Sequence, residues 1–131
     1  MSNQFGYNQL FTDRPETWLA DGYVSIGATG APTFATVPSG VVSAVTRNSA
    51  GNYKIVLAQN WYALLDAHIA TEIPVSLSPT FLFSQLDSDT VGSASSAQKV
   101  TVRFVDKDGT ATELPSGSGF RFCLLLKKSS A

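Results

Sequence analysis

Redox and metal chemistry have almost no material in this sequence: its 131 residues include a single cysteine, Cys123, and a single histidine, His68. One cysteine cannot close an internal disulfide, so nothing implies an oxidising compartment. One histidine and one cysteine cannot supply the four nitrogen and sulfur ligands of a usual zinc site within one chain. Charge is scarce too, at 15% of residues with a formal net charge of −1, and no basic run is longer than Lys127-Lys128. A nucleic-acid partner is therefore not expected. No stretch approaches the roughly 18 apolar residues of a membrane span, and the N-terminus, MSNQFGYNQLFTDRPE, lacks a basic segment followed by an apolar one. Neither a membrane partner nor a signal peptide is expected, and the chain should be made and folded in a cytoplasm.

What the sequence does hold is core material. Apolar residues make up 44% of it, with eight Phe, four Tyr and two Trp, far from the composition of a disordered segment. The length fits one domain that removes roughly two thirds of its unfolded surface from water. Charged residues fall below the roughly 25% of ordinary domains, so part of the surface must be Ser, Thr, Ala or apolar. That composition points to contact surfaces.

Residues 41–69, VVSAVTRNSAGNYKIVLAQNWYALLDAHI, organise the rest. Val41, Ser43 and Val45 alternate with Val42, Ala44 and Thr46, and Tyr53, Ile55 and Leu57 alternate with Lys54, Val56 and Ala58, the period of two of paired strands. Between them Asn48-Ser49-Ala50-Gly51-Asn52 tolerates positive φ, so an antiparallel hairpin with a loop of about five residues is predicted. The spacing then changes. Asn60 is placed to cap a helical turn in which Trp61, Leu64, Leu65 and His68 recur at i, i+3, i+4 and i+7.

Before this unit, residues 1–20 are read as an extended N-terminal arm and residues 21–131 as the β domain. The arm carries Phe5, Tyr7, Leu10, Phe11 and Trp18 at spacings that do not gather all five on one face of a helix or strand. Such a segment packs irregularly on its own domain, grips a second chain or stays disordered, and these five are the candidate partner-binding residues. Residues 21–30 predict a short strand bounded by glycines, and residues 33–37 a second one. Beyond the central unit, Pro74 and Pro79 interrupt residues 69–86, so its strands should lie at a sheet edge or break around a turn. Residues 87–98, DSDTVGSASSAQ, form the most polar run and predict an exposed loop. Val100, Val102 and Phe104 begin a strand that ends in the turn Asp106-Lys107-Asp108-Gly109, and Phe120, Phe122, Leu124 and Leu126 give the inward face of a last strand. Roughly eight strands with regularly spaced turns predict an all-β domain, an antiparallel β-sandwich or compact barrel with one short helix.

Chemistry is thin along the whole chain. His68, at the end of the predicted helix, is expected as a half-buried imidazole, and Cys123 as a small hydrophobe in the last strand. Asp106-Lys107-Asp108-Gly109 starts like a calcium loop, but glycine comes two positions early and no glutamate follows at the required distance. Asp87 and Asp89 offer at most a weak exposed calcium site against the alternative of a solvated loop. G-x-S-x-G, the P-loop and the dinucleotide fingerprint are absent, Gly117-Ser118-Gly119 is turn chemistry, and Glu16, Glu72 and Glu113 have no partner that sequence identifies. The expectation is a protein that is not an enzyme and needs no cofactor.

Three segments, Val45-Thr46-Arg47, Gly51 through Leu57 (G-x-Y-x-I-x-L) and Tyr62 through His68 (Y-x-L-L-x-A-H), follow one another in an order that resembles small virion proteins of tailed bacteriophages. The C-terminal run VTVRFVDKDGTATELPSGSGFRFCLLLKKSS is similar to the closing strands of head decoration (cement) proteins. The resemblance covers somewhat under half of the chain and includes no catalytic motif. It implies a bacteriophage structural protein that binds the major capsid protein lattice at the virion surface after synthesis in the host cytoplasm. Threefold lattice positions make a homotrimer the natural assembly. The competing expectation is a glycan- or receptor-binding β-module of a phage tail, baseplate or fibre, in which Trp18, Trp61, Tyr7 and Tyr62 would stack on sugar rings.

Overall fold

The computed structural model describes residues 17–34, 41–78, 81–93 and 97–128. Its strands are β1 (Thr17–Ile26), β2 (Pro32–Phe34), β3 (Val42–Ser49), β4 (Asn52–Leu57), β5 (Ala63–Glu72), β6 (Phe83–Asp89), β7 (Lys99–Val105) and β8 (Gly119–Lys127). They form two antiparallel four-stranded sheets, ordered β2-β1-β8-β5 and β3-β4-β7-β6. The sheets stack as a sandwich with β2 beside β3 and β5 beside β6, and do not close into a barrel.

Alternation explains the central strands. In β4 the buried Tyr53, Ile55 and Leu57 alternate with half-buried Lys54 and Val56, and in β8 Phe120, Phe122, Leu124 and Leu126 all point inward. The two inner faces meet in an aromatic cluster: Tyr53 and Phe104 from one sheet and Phe120 from the other, with ring centroids 5.0–5.9 Å apart. Each fully buried side chain of this kind is worth roughly 1.5–3 kcal/mol. Tyr53 also satisfies its hydroxyl by donating to the Gly30 carbonyl at 2.9 Å.

The predicted helix over residues 60–68 is instead the start of β5, and the only helix among the described residues is the 3₁₀ turn Ala28–Gly30. A β-bulge accounts for the difference. Leu64 pairs with Leu126 but Asp66 pairs with Leu125, so Leu65 is an inserted residue. The inward positions therefore fall at Leu64, Ala67 and Ile69, opposite Leu126, Leu124 and Phe122. One extra residue turned a spacing of two into a spacing of three, which in sequence imitates a helical stripe. Asn60 caps no helix; its carbonyl accepts from Lys128 Nζ at 2.8 Å.

Other boundaries move as well. Ser49 pairs with Asn52, so the β3–β4 connection is only Ala50-Gly51, with a strand irregularity after Arg47 absorbing the rest of the predicted loop. The polar run 87–98 is partly strand, since β6 continues through Asp89, and its last residue, Gln98, is buried. Thr17–Ala20 pair with Lys127–Leu124 and belong to the sandwich, so the predicted arm loses its last four residues to β1. The strands flanking the Pro74 segment do occupy sheet edges, β5 in one sheet and β6 in the other.

Candidate interaction surface

The large apolar side chains that stay in water collect on one side of the sandwich. Val75 is 92% exposed and Phe81 67%, while Tyr62, Phe83 and Leu86 are about half exposed. All five lie on β5, β6 or the segments that flank and join them. Phe81 and Phe83 pack edge to face with centroids 4.8 Å apart, shielding one another as they protrude. Among the described residues β6 is bonded only to β7, and its other side presents an edge row of N–H and C=O groups. Its protection is uneven. The second half carries Asp87 and Asp89 and a bulge between Leu86 and Ser88, whereas Phe83 through Leu86 keep a regular register with Val105 through Val102.

A polar surface occupies the outer face of the other sheet. Asp21, Cys123 and His68 form one cross-strand row, and Tyr23, Arg121 and Ala70 the next. Tyr23 donates its hydroxyl to Glu72 Oε1 at 3.3 Å, Arg121 Nη2 lies 3.4 Å from Glu72 Oε2, and the guanidinium stacks 4.7 Å over the Tyr23 ring. The short side chains of Cys123 and Ala70 leave a shallow depression of about 470 Å³ between this cluster and His68. Burial, together with Asp21 and Asp66, pushes the Cys123 thiol up, so it carries little thiolate and is no activated nucleophile. His68 is not half-buried but 83% exposed along its side chain, with Nε2 3.9 Å from Asp66 Oδ2. The strand assignment is the reason: outside the bulge its position alternates outward.

Two further clusters hold the ends of the sandwich together. Gln98, Trp61, Trp18 and Lys128 meet where β4 crosses to β5: Trp18 packs edge-on against the buried Trp61 at 6.5 Å, and the Lys128 ammonium sits 4.9 Å over the Trp61 ring. At the β3–β4 turn, Arg47 forms an ion pair with Glu113, whose Oε1 also accepts the Gly51 N–H at 3.3 Å. Hydrogen bonding from Arg47 holds the Glu113 carboxyl below its ordinary value, and burial and Glu113 push the Tyr53 phenol up. Neither cluster was legible in the sequence, because each joins residues 37 or more positions apart.

Of the five candidate arm residues, Phe5, Tyr7, Leu10 and Phe11 lie outside the described residues, and Trp18 is a packing residue of β1. Asp87 and Asp89 do not converge: Asp87 accepts from Asn52 at 3.4 Å and Asp89 from the Val91 N–H at 3.1 Å. Among the described residues no three His, Cys, Asp or Glu side chains are grouped to hold a metal ion. Asp106 spends its carboxylate inside its own turn, accepting from the N–H groups of Asp108 and Thr110 at 2.8 and 3.0 Å. No helix among the described residues is long and apolar enough to cross a membrane. No family model, curated protein or solved structure matches the chain.

Proposed function

We propose that this protein is a non-enzymatic virion component, a bacteriophage head decoration protein that binds the major capsid protein lattice as a homotrimer and stabilises the shell. The observation that carries the reading is the apolar β5–β6 edge, a surface suited to being covered by another chain. The low charge of the chain and the resemblance of residues 45–68 and 100–130 to decoration proteins support the same reading. Weak contacts of this kind become effective when a symmetric oligomer repeats them on a lattice.

The test is co-sedimentation of the purified protein with assembled shells of a candidate major capsid protein. Saturable binding at a fixed ratio to threefold positions is expected; protein that stays wholly in the supernatant would remove the proposal. The competing glycan-binding reading loses its two tryptophan platforms, since Trp61 is buried and Trp18 is packed against it. Trp18→Ala is accordingly expected to lower stability and leave a glycan array as silent as the parent protein.

A further inference from the structure

On the outer face of the β2-β1-β8-β5 sheet, four different chemistries meet around one small side chain. Cys123 lies at the centre: Arg121 and Leu125 are the outward residues before and after it along β8, Asp21 faces it from β1 and His68 from β5. We infer that the depression over Cys123 binds a free α-amino acid with an apolar side chain, its carboxylate on Arg121, its ammonium on Asp21 and its side chain toward Leu125. The site is separate from the β5–β6 edge, and the inference is independent of the assembly proposed above.

The guanidinium is fixed before any ligand arrives. Tyr23 lies across β8 because Gly119 has no side chain: a Cβ there would come within 2.7 Å of Tyr23 Cζ. In this position the ring carries the Arg121 guanidinium 4.7 Å from its centroid. Glu72 ties the pair, accepting from the Tyr23 hydroxyl at 3.3 Å and lying 3.4 Å from Arg121 Nη2. Arg121 Nε and Nη1 take no partner among the described residues. A guanidinium already stacked and tethered loses little freedom on receiving a carboxylate.

Opposite charge stands across the depression. The exposed Asp21 carboxylate enters none of the ion pairs among the described residues. Arg121 and Asp21 occupy diagonal positions on neighbouring strands, about 7–8 Å apart. An ammonium and a carboxylate on one carbon bridge such a gap, each at hydrogen-bond distance from its partner. Single ions fit less well: an anion at Arg121 meets Glu72 and Asp21, and a cation at Asp21 is repelled by Arg121.

The floor and the remaining side suit the rest of the molecule. Burial, Asp21 and Asp66 keep the Cys123 thiol neutral, and with Ala70 it leaves the depression its volume of about 470 Å³, ample for a ligand of this size. On the far side of Cys123, half-buried Leu125 pairs with half-buried Leu19, and an apolar ligand side chain covers both. An open site and a ligand of about nine non-hydrogen atoms give a Kd on the order of 1–10 mM.

Titration of the isotope-labelled full-length protein with L-leucine, followed by NMR, tests this. Saturable shifts are expected at the amides of residues 21–23, 68–70 and 121–125. N-acetyl-L-leucine, which lacks the ammonium, and L-leucinamide, which lacks the carboxylate, should each bind about tenfold more weakly. Arg121 and Asp21 are exposed, so the Arg121→Gln and Asp21→Asn chains should keep their thermal transitions. The first should bind leucine and leucinamide equally, and the second should bind leucine and N-acetyl-leucine equally. The inference is overturned by an absence of saturable shifts well above the expected Kd, by shifts on another face, or by capped leucines that bind as well as the free amino acid. An Arg121→Gln chain that still prefers leucine to leucinamide overturns it as well.

Discussion

The side chain of Gln98 grips both backbone polar groups of Trp61: Oε1 accepts the Trp61 N–H at 2.6 Å, and Nε2 donates to its carbonyl at 2.9 Å. Trp61 lies where the chain crosses from β4 in one sheet to β5 in the other, so no ladder partner is available to it. A buried amide thus replaces the missing strand neighbour, and the Gln98 carbonyl extends the clamp by accepting the Leu57 N–H at 2.9 Å. Buried backbone groups need partners of this kind wherever a sheet ends.

Gln98→Ala removes these side-chain bonds and the one to the Ser93 carbonyl at 3.0 Å. Leaving buried groups of Trp61 unpaired is expected to cost about 2–4 kcal/mol of unfolding free energy in a urea titration, with the slope unchanged. A loss under about 0.5 kcal/mol would mean that packing alone holds the crossover.

Gly51 and Gly109 both have positive φ, +68° and +81°, but different surroundings. A Cβ on Gly51 would run into the Thr112 carbonyl oxygen and come within 2.9 Å of the Phe104 carbonyl, whereas one on Gly109 meets nothing within 4 Å. Gly109→Ala should cost about 1–2 kcal/mol for the left-handed backbone alone, and Gly51→Ala should exceed it by about 2 kcal/mol or more. Equal midpoints in parallel denaturation curves would contradict the packing described at the hairpin tip.

The Arg47–Glu113 pair gives stability a sign with pH. The folded carboxyl titrates below its unfolded value, chiefly through hydrogen bonding from Arg47. Its contribution is therefore fully present above the unfolded carboxyl pKa and is lost as pH falls through the lowered folded value. Both side chains are about one third exposed, so solvent screens the effect and it should be modest. Glu113→Gln is expected to flatten the acid side of the stability curve between neutral pH and about pH 3; an acid slope identical to the parent's would show that other groups set it.

Cys123 should alkylate reluctantly. Burial first, then Asp21 and Asp66, raise its thiol above the ordinary value, so the rate with iodoacetamide at pH 8 should fall below that of the urea-unfolded chain and rise only at higher pH. A rate equal to that of the unfolded thiol would mean that the outer face of this sheet is open around the sulfur.

Strands whose residues alternate without interruption were legible from sequence: β4, β7 and β8 each carry a run of inward apolar residues that matches the observed burial. β5 was not, because Leu65 is a bulge residue that shifts the phase of the apolar positions after Leu64. The exposed apolar edge escaped for a related reason. Phe83 and Leu86 look like core residues until the sheet order shows that β6 has no outer neighbour among the described residues. Gln98 and Glu113 gave no local signal, since a glutamine at the end of a polar run and a glutamate two residues ahead of a proline acquire their roles only from Trp61 and Arg47, brought near by the fold.

Whether another chain covers β6 is the question on which the account turns, and hydrogen exchange of the full-length protein answers it most directly. At concentrations where it is assembled, the outward amides of Phe83 through Leu86 are expected to exchange slowly, and in the Phe83→Glu chain quickly, while amides of β4, β7 and β8 stay protected in both. Rapid exchange along Phe83–Leu86 in the assembled protein, unchanged from the variant, would contradict the assignment of this edge as the assembly surface.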